Sequence, residues 1–224
     1  MIHGKPMIQY VFERCRMVCD QVVVATDDDR IANAVKSFRG VCIFTSPDHQ
    51  SGTDRCVEAA LKLSFSVDFD LVINVQGDEP FIEPVQLEQI IGCFDNAETE
   101  IATLITPIQS TDILFNQNKV KVVKSVNGYA LYFSRQPIPF QRDMPEANWL
   151  DNSDYYLHIG MYAFRPSVLQ AITKLEPSTL EKAEKLEQLR WLENGYRIKT
   201  AITTHTNFGI DTPADLQEIL NLKK

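Results

Sequence analysis

Apolar residues recur at helical spacing from Met7 to Cys19, with Ile8, Val11, Phe12 and Cys15 on one side, and then close up into the run Val22-Val23-Val24-Ala25. That change of period predicts a helix followed by a buried strand. The same alternation repeats. Asp29 to Arg39 carries Ile31, Ala34, Val35 and Phe38 on one face and ends at Gly40, before the short strand Val41-Cys42-Ile43-Phe44. Helices over Thr53 to Leu63 and Pro84 to Phe94 are interleaved with strands over Leu71 to Val75 and Ile101 to Ile105, which implies an α/β fold with a mostly parallel sheet flanked by helices, as in Rossmann-like chains. The period then shortens to two. Lys119 to Lys124 alternates, Val126-Asn127-Gly128 turns and Tyr129 to Ser134 returns, predicting an antiparallel hairpin that extends a mixed sheet. Gln136 to Asp154 has three prolines and no period, so it reads as a loop, either covering a substrate or passive at the surface. Helices are expected over Ser167 to Leu175, Glu181 to Glu193 and Thr212 to Leu222, with a strand at Ile198 to Ile202.

Composition narrows the classes. The 224 residues are 44% hydrophobic and 23% charged, which suits one α/β domain spanning 1–224, with room for a small subdomain. A net charge of −8 argues against a nucleic-acid surface, though an anionic substrate is compatible with locally converging cations. The apolar runs are too short to span a bilayer and no signal-like segment opens the chain, so no membrane partner and a cytoplasmic location are expected. Five cysteines form no Cys-x-x-Cys clip and four histidines lack zinc spacing, favouring reduced thiols over a structural metal. No Gly-x-Gly-x-x-Gly follows a strand, which removes the dehydrogenase reading.

The chemistry concentrates at two acidic turns. Leu71-Val72-Ile73 runs into Asn74-Val75-Gln76-Gly77-Asp78-Glu79-Pro80, placing Asp78 at the carboxyl end of a strand, where α/β sheets gather ligands; Gly77 permits a close backbone turn. A solvated turn is the plain alternative, and Glu79 is the weaker candidate of the two acids. The second turn is Phe208-Gly209-Ile210-Asp211-Thr212-Pro213, where Thr212 suits a helix N-cap and Pro213 the first helical position. Asp211 just precedes that helix, as ordinary turn residues also do. Between them, His49-Gln50-Ser51-Gly52-Thr53 with Arg55 offers donors and acceptors before a helix N-terminus, or simply caps it.

Taken together, NVQGDEP, GIDTP, Asp48-His49-Gln50-Ser51-Gly52-Thr53-Asp54-Arg55, Tyr129 to Arg135, His158-Ile159-Gly160-Met161-Tyr162 and Leu186-Glu187-Gln188-Leu189-Arg190 resemble the 3-deoxy-manno-octulosonate (Kdo) cytidylyltransferases, over nearly the whole chain. The resemblance implies a nucleotidyltransferase fold and transfer of CMP from CTP to Kdo, with pyrophosphate released, for lipopolysaccharide assembly. It implies Mg²⁺ held by Asp78 and Asp211 as the catalytic pair. His49, Ser51, Gly52, Thr53 and Arg55 would hold the nucleotide, and Gln76, Arg135, His158, Glu187 and Gln188 the sugar, with Arg142 a weaker candidate. A homodimer built on the hairpin at 119–135 is also implied. The family opens with a strand and a basic, glycine-containing phosphate loop, and Met1 falls after it; Lys5 reads as a helix-entry residue and not as its phosphate ligand. The expectation that follows is little turnover from this chain alone and activity from an N-terminally extended one. A cytidylyltransferase for another acidic keto-sugar such as sialate, or a non-catalytic binding module, are the alternatives.

Overall fold

The first helix, α1 (Met7–Arg16), buries Val11 and Cys15, and Lys5 folds back on it, its ammonium 2.7 Å from Glu13. This is the helix-entry role expected of Lys5. The computed structural model describes residues 1–205 together with Gly209, Ile210 and Gln217. Contacts divide the chain into two compact units, Met1–Glu88 with Asn207–Lys224 and Gln89–Thr206.

In the first unit, α1 is followed by β1 (Val24–Thr26), α2 (Asp29–Ser37), β2 (Cys42–Phe44), α3 (Gly52–Ser64) and β3 (Val72–Asn74), with α4 (Pro84–Gly92) next in the chain. β1 and β2 pair in parallel, Val24 opposite Cys42. Asp28 caps α2 by accepting the Arg30 amide. The exit of α2 differs from the expectation in one detail. Arg39, not Gly40, takes the left-handed conformation (φ 61°), while Gly40 is required for space: a Cβ there would lie 2.5 Å from the Phe38 ring. The Gly40 amide returns to the Val35 carbonyl and the Arg39 amide to that of Lys36, closing the helix.

The second unit holds β4 (Ile101–Pro107), α5 (Thr111–Phe115), β5 (Lys121–Lys124), β6 (Ala130–Ser134), α6 (Trp149–Asn152), β7 (Tyr156–Phe164), α7 (Pro166–Ile172), α8 (Thr179–Glu184), α9 (Gln188–Glu193) and β8 (Ile198–Ile202). Its strands run β6-β5-β7-β4-β8; β4 and β8 are parallel, and the other pairs antiparallel. The expected hairpin is β5–β6. The α/β class stands, as a mixed sheet with helices.

Three features depart from the expectation. β7 lies in a segment to which the pattern assigned no strand, because two extra residues on it, Gly160 and Met161, break the alternation opposite Thr103 and Leu104. The helix expected over Glu181 to Glu193 is two helices, α8 and α9, parted at Lys185 in the left-handed conformation (φ 55°). The loop 136–154 is pinned by Trp149, which is buried among Ile108, Leu114 and Tyr155 and donates its indole N–H to the Met144 carbonyl. The helix expected over Thr212 to Leu222 lies outside the described residues.

Candidate functional site

In the first unit, the acidic turn and the loop before α3 meet. Ser51 is the N-cap of α3, its hydroxyl accepting the Asp54 amide at 3.1 Å, so the first turn of a 13-residue helix begins at Gly52 with Thr53 buried behind it. The Gln76 amide lies against Gly52: a Cβ built on that glycine would be 3.4 Å from Gln76 Nε2 and 3.7 Å from Asn74 Nδ2. Gly52 therefore keeps open a surface between a helix N-terminus and the end of β3. Gly77 instead faces α1, its missing Cβ 3.3 Å from Ile8 Cδ1.

Asp78 follows in that turn, half-buried, and its carbonyl accepts the Ile210 amide at 2.9 Å. Residues 78 and 210 are far apart in the sequence, and the residue after Ile210 is Asp211. Asp211 itself lies outside the described residues. Among the described residues, no three His, Cys, Asp or Glu side chains gather as a metal-binding group.

His49 and Arg55 support the loop from beneath. The His49 ring pairs with Glu58 of α3, which also accepts the Ser46 amide at 2.9 Å and holds Lys62 at 2.6 Å. Lys62 beside it, with the Ser46 amide and His49, holds the Glu58 carboxyl down at about 2. Arg55 donates to the Thr45 hydroxyl at 2.6 Å and lies 3.2 Å from Asp27, so it ties together the residues just beyond β2 and β1. Sequence pattern alone marked neither Glu58 nor Asp27; a carboxylate two turns into α3 and another just beyond β1 carry no local sign of the loop they support.

In the second unit, the expected sugar residues separate into two groups. Glu187 and Gln188 stand at the start of α9, Gln188 with only 6% of its surface exposed. Near Glu187 the Tyr162 hydroxyl, which the sequence reading did not single out, is buried with no hydrogen-bond partner, and burial together with the Glu187 charge pushes it well above the usual phenol value. Its ring stands edge-on to Trp191, centroids 5.0 Å apart. Arg142, the weaker candidate, is exposed and lies 3.3 Å from Asp143.

Arg135 and His158 are occupied otherwise than expected. The Arg135 guanidinium donates to the carbonyls of Glu184 (2.7 Å), Gln117 (3.2 Å) and Lys185 (3.3 Å), because β6 ends against the last turn of α8. Burial pushes the His158 imidazole down to about 3, so it is neutral near pH 7 and supplies no charge for a carboxylate. Its Nε2 is 3.1 Å from the Thr103 hydroxyl, which is itself 2.8 Å from the Met161 carbonyl. That hydroxyl has one proton to donate, and giving it to Met161 makes His158 Nε2 the donor to Thr103.

The cytidylyltransferase family model matches residues 1–200. The 3-deoxy-manno-octulosonate cytidylyltransferase of Parabacteroides distasonis is 52% identical over 98% of this chain and 88% of its own length; that of Bacteroides thetaiotaomicron is 52% identical over 97% and 87%. Among solved structures, CMP:2-keto-3-deoxy-manno-octonic acid synthetase complexed with CTP matches with a TM-score of 0.90 and 42% identity, covering 99% of this chain and 89% of that one. A 4-diphosphocytidyl-2C-methyl-D-erythritol synthase from Anaerococcus prevotii shares the fold alone, at 13% identity and a TM-score of 0.60, over 99% of this chain and 90% of that one.

Proposed function

We propose, from the premise that this chain belongs to the 3-deoxy-manno-octulosonate cytidylyltransferase family, that its reacting centre is built on Asp78 and Asp211. The protein transfers CMP from CTP to Kdo and releases pyrophosphate. In that reaction the sugar hydroxyl oxygen bonds to the α-phosphorus, the bond from phosphorus to the pyrophosphate oxygen breaks, and the hydroxyl proton is lost. Positioning and charge matter more here than a protein nucleophile.

Gly52 and Thr53 present the N-terminal amides of α3 to the nucleotide, with Ser51 fixing that helix end and His49 and Arg55 holding the loop in place. Gln76 extends beside Gly52 and offers an amide to the sugar. Within the second unit, Glu187, Gln188 and the Tyr162 hydroxyl are assigned to the sugar, accepting from and donating to its hydroxyls. Mg²⁺ held by Asp78 and Asp211 would offset phosphate charge and lower the pKa of the attacking hydroxyl. The observation that carries this reading is the hydrogen bond from Ile210 to Asp78, which brings the chain to the second acidic turn at the first.

The five free cysteines fit a reducing, cytoplasmic setting, and among the described residues no helix is long and apolar enough to cross a membrane. We assign the hairpin β5–β6 to a homodimer contact.

Replacing either Asp78 or Asp211 by Asn preserves shape and removes a negative ligand. Turnover of the full-length protein on CTP and Kdo is expected to fall about a hundredfold or more, while CTP binding without metal changes little. Near-native turnover of both variants at limiting Mg²⁺ would remove the two-aspartate centre.

A further inference from the structure

The geometry points to Arg135 as a positioning residue that locks the left-handed elbow at Lys185 and thereby sets the direction of Glu187 and Gln188, without touching the sugar. The inference rests on the assignment of those two residues to Kdo.

The elbow is an intrinsically poor conformation held from two sides. Lys185 is exposed and sits at φ 55°, ψ 47°, a region that disfavours any residue carrying a Cβ. On one side, Arg135 Nε and Nη2 donate to the carbonyls of Glu184 and Lys185, the two residues at the bend. The Glu184 carboxylate answers in the opposite direction, accepting the Arg135 amide at 2.9 Å and the Ser134 hydroxyl at 2.8 Å. The end of β6 is thus tied to the end of α8 by main chain and side chain from both partners. The Arg135 carbonyl is itself fixed by the fully buried ammonium of Lys121, which also donates to the carbonyls of Lys119 and Asn116.

On the other side, Arg190 grips Glu181 with two parallel bonds, Nε to Oε2 at 2.8 Å and Nη2 to Oε1 at 2.5 Å, joining α9 to the first turn of α8. Glu181 is also the second partner of the capping box with Ser178. Between the two clamps the chain has only Leu186 to Leu189, and Leu186, Gln188 and Leu189 are buried. Little freedom remains in where Glu187 and Gln188 point. A guanidinium engaged on three backbone carbonyls is well suited to this task, since its planar fork meets two adjacent carbonyls at once.

Steady-state kinetics of the full-length protein separate positioning from contact. Glu187→Gln first tests the underlying assignment: an unchanged KM for Kdo removes Glu187 from the sugar site whatever Arg135 does. Arg135→Gln is then expected to raise the KM for Kdo about tenfold, as a ligand set displaced by a fraction of its reach would, with kcat and the KM for CTP within about twofold of the parent. Adding Lys185→Gly to Arg135→Gln should restore most of the loss, because glycine holds the left-handed elbow without the clamp. A direct sugar ligand would show no such rescue, and failure of Lys185→Gly to lower the raised KM overturns the inference. So does an unchanged KM in Arg135→Gln. If Arg135→Gln does not fold, Glu184→Gln, which weakens the same clamp from the other partner, is measured with the same glycine rescue and the same reading of its outcomes.

Discussion

A phenol buried without a hydrogen-bond partner costs about 1–3 kcal/mol of stability, and Tyr162 bears that cost beside Glu187. Removing the hydroxyl alone should therefore separate folding from function. Tyr162→Phe is expected to stabilise the protein by on the order of 1 kcal/mol in urea unfolding while raising the KM for Kdo; a loss of stability with unchanged KM would place the hydroxyl in the structure and outside the site. His158 makes the opposite kind of residue. Its folded value of about 3 lies below the ordinary 6.5, so the unfolded chain takes up a proton that the native chain refuses. The sign follows: nothing is lost above pH 6.5, and stability falls as pH drops from 6.5 towards 3. Between pH 6.5 and 5, above most carboxylate titration, the parent should lose stability more steeply than His158→Gln, by up to about 1.4 kcal/mol per pH unit. Equal slopes would refute the neutral, buried assignment. The turn at Asp78 and the start of α3 at Gly52 were legible in sequence because a strand end and a helix cap are local signals. Arg135 was not, since the partners of a guanidinium are set by where α8 ends, and a motif carries no information about a carbonyl fifty residues away.

Elements were legible wherever one period held. α2, α3 and the β5–β6 hairpin begin and end within a residue or two of their patterns. β7 escaped because Met161 to Phe164 are buried without a break, over both faces, and the bulge at Gly160 and Met161 erases what alternation remains. The Thr103 hydroxyl fills that bulge, reaching the carbonyls of both Ile159 and Met161. The division of α8 from α9 was hidden for a different reason. Glu181 to Glu193 contains good helix formers throughout, yet Lys185 takes a glycine's conformation where Arg135 holds the bend on one side and Arg190 on the other. Propensity yields there to tertiary contacts.

At the scale of the molecule, the hairpin is where the proposed assembly can be tested. Its turn is already docked within its own unit, where the Thr200 amide donates to the Gly128 carbonyl at 2.8 Å and Arg197 stacks on Tyr129 at 3.9 Å. Val126 is fully exposed and Leu131 is 61% exposed, leaving apolar surface on an otherwise satisfied ribbon. A second copy is expected to cover it. Light scattering of the full-length protein should give twice the chain mass, and Leu131→Glu with Val126→Glu should return a monomer. A monomeric mass for the parent across a concentration series would exclude the stable dimer. The sequence foresaw one α/β body, and its change of period near Lys119 fell inside what is the second compact unit; the boundary near Glu88 falls within α4, where an unbroken helical pattern gives no sign of it. The make-up of the first unit, from residues 1–88 and 207–224, also orders events during synthesis. Everything between Gln89 and Thr206 is synthesised before Ile210, so the contact of Ile210 with the Asp78 carbonyl closes a loop of the chain that contains the whole second unit. Closing so long a loop is costly in chain entropy, so the Ile210–Asp78 contact is a late one, made after the more local contacts of either unit.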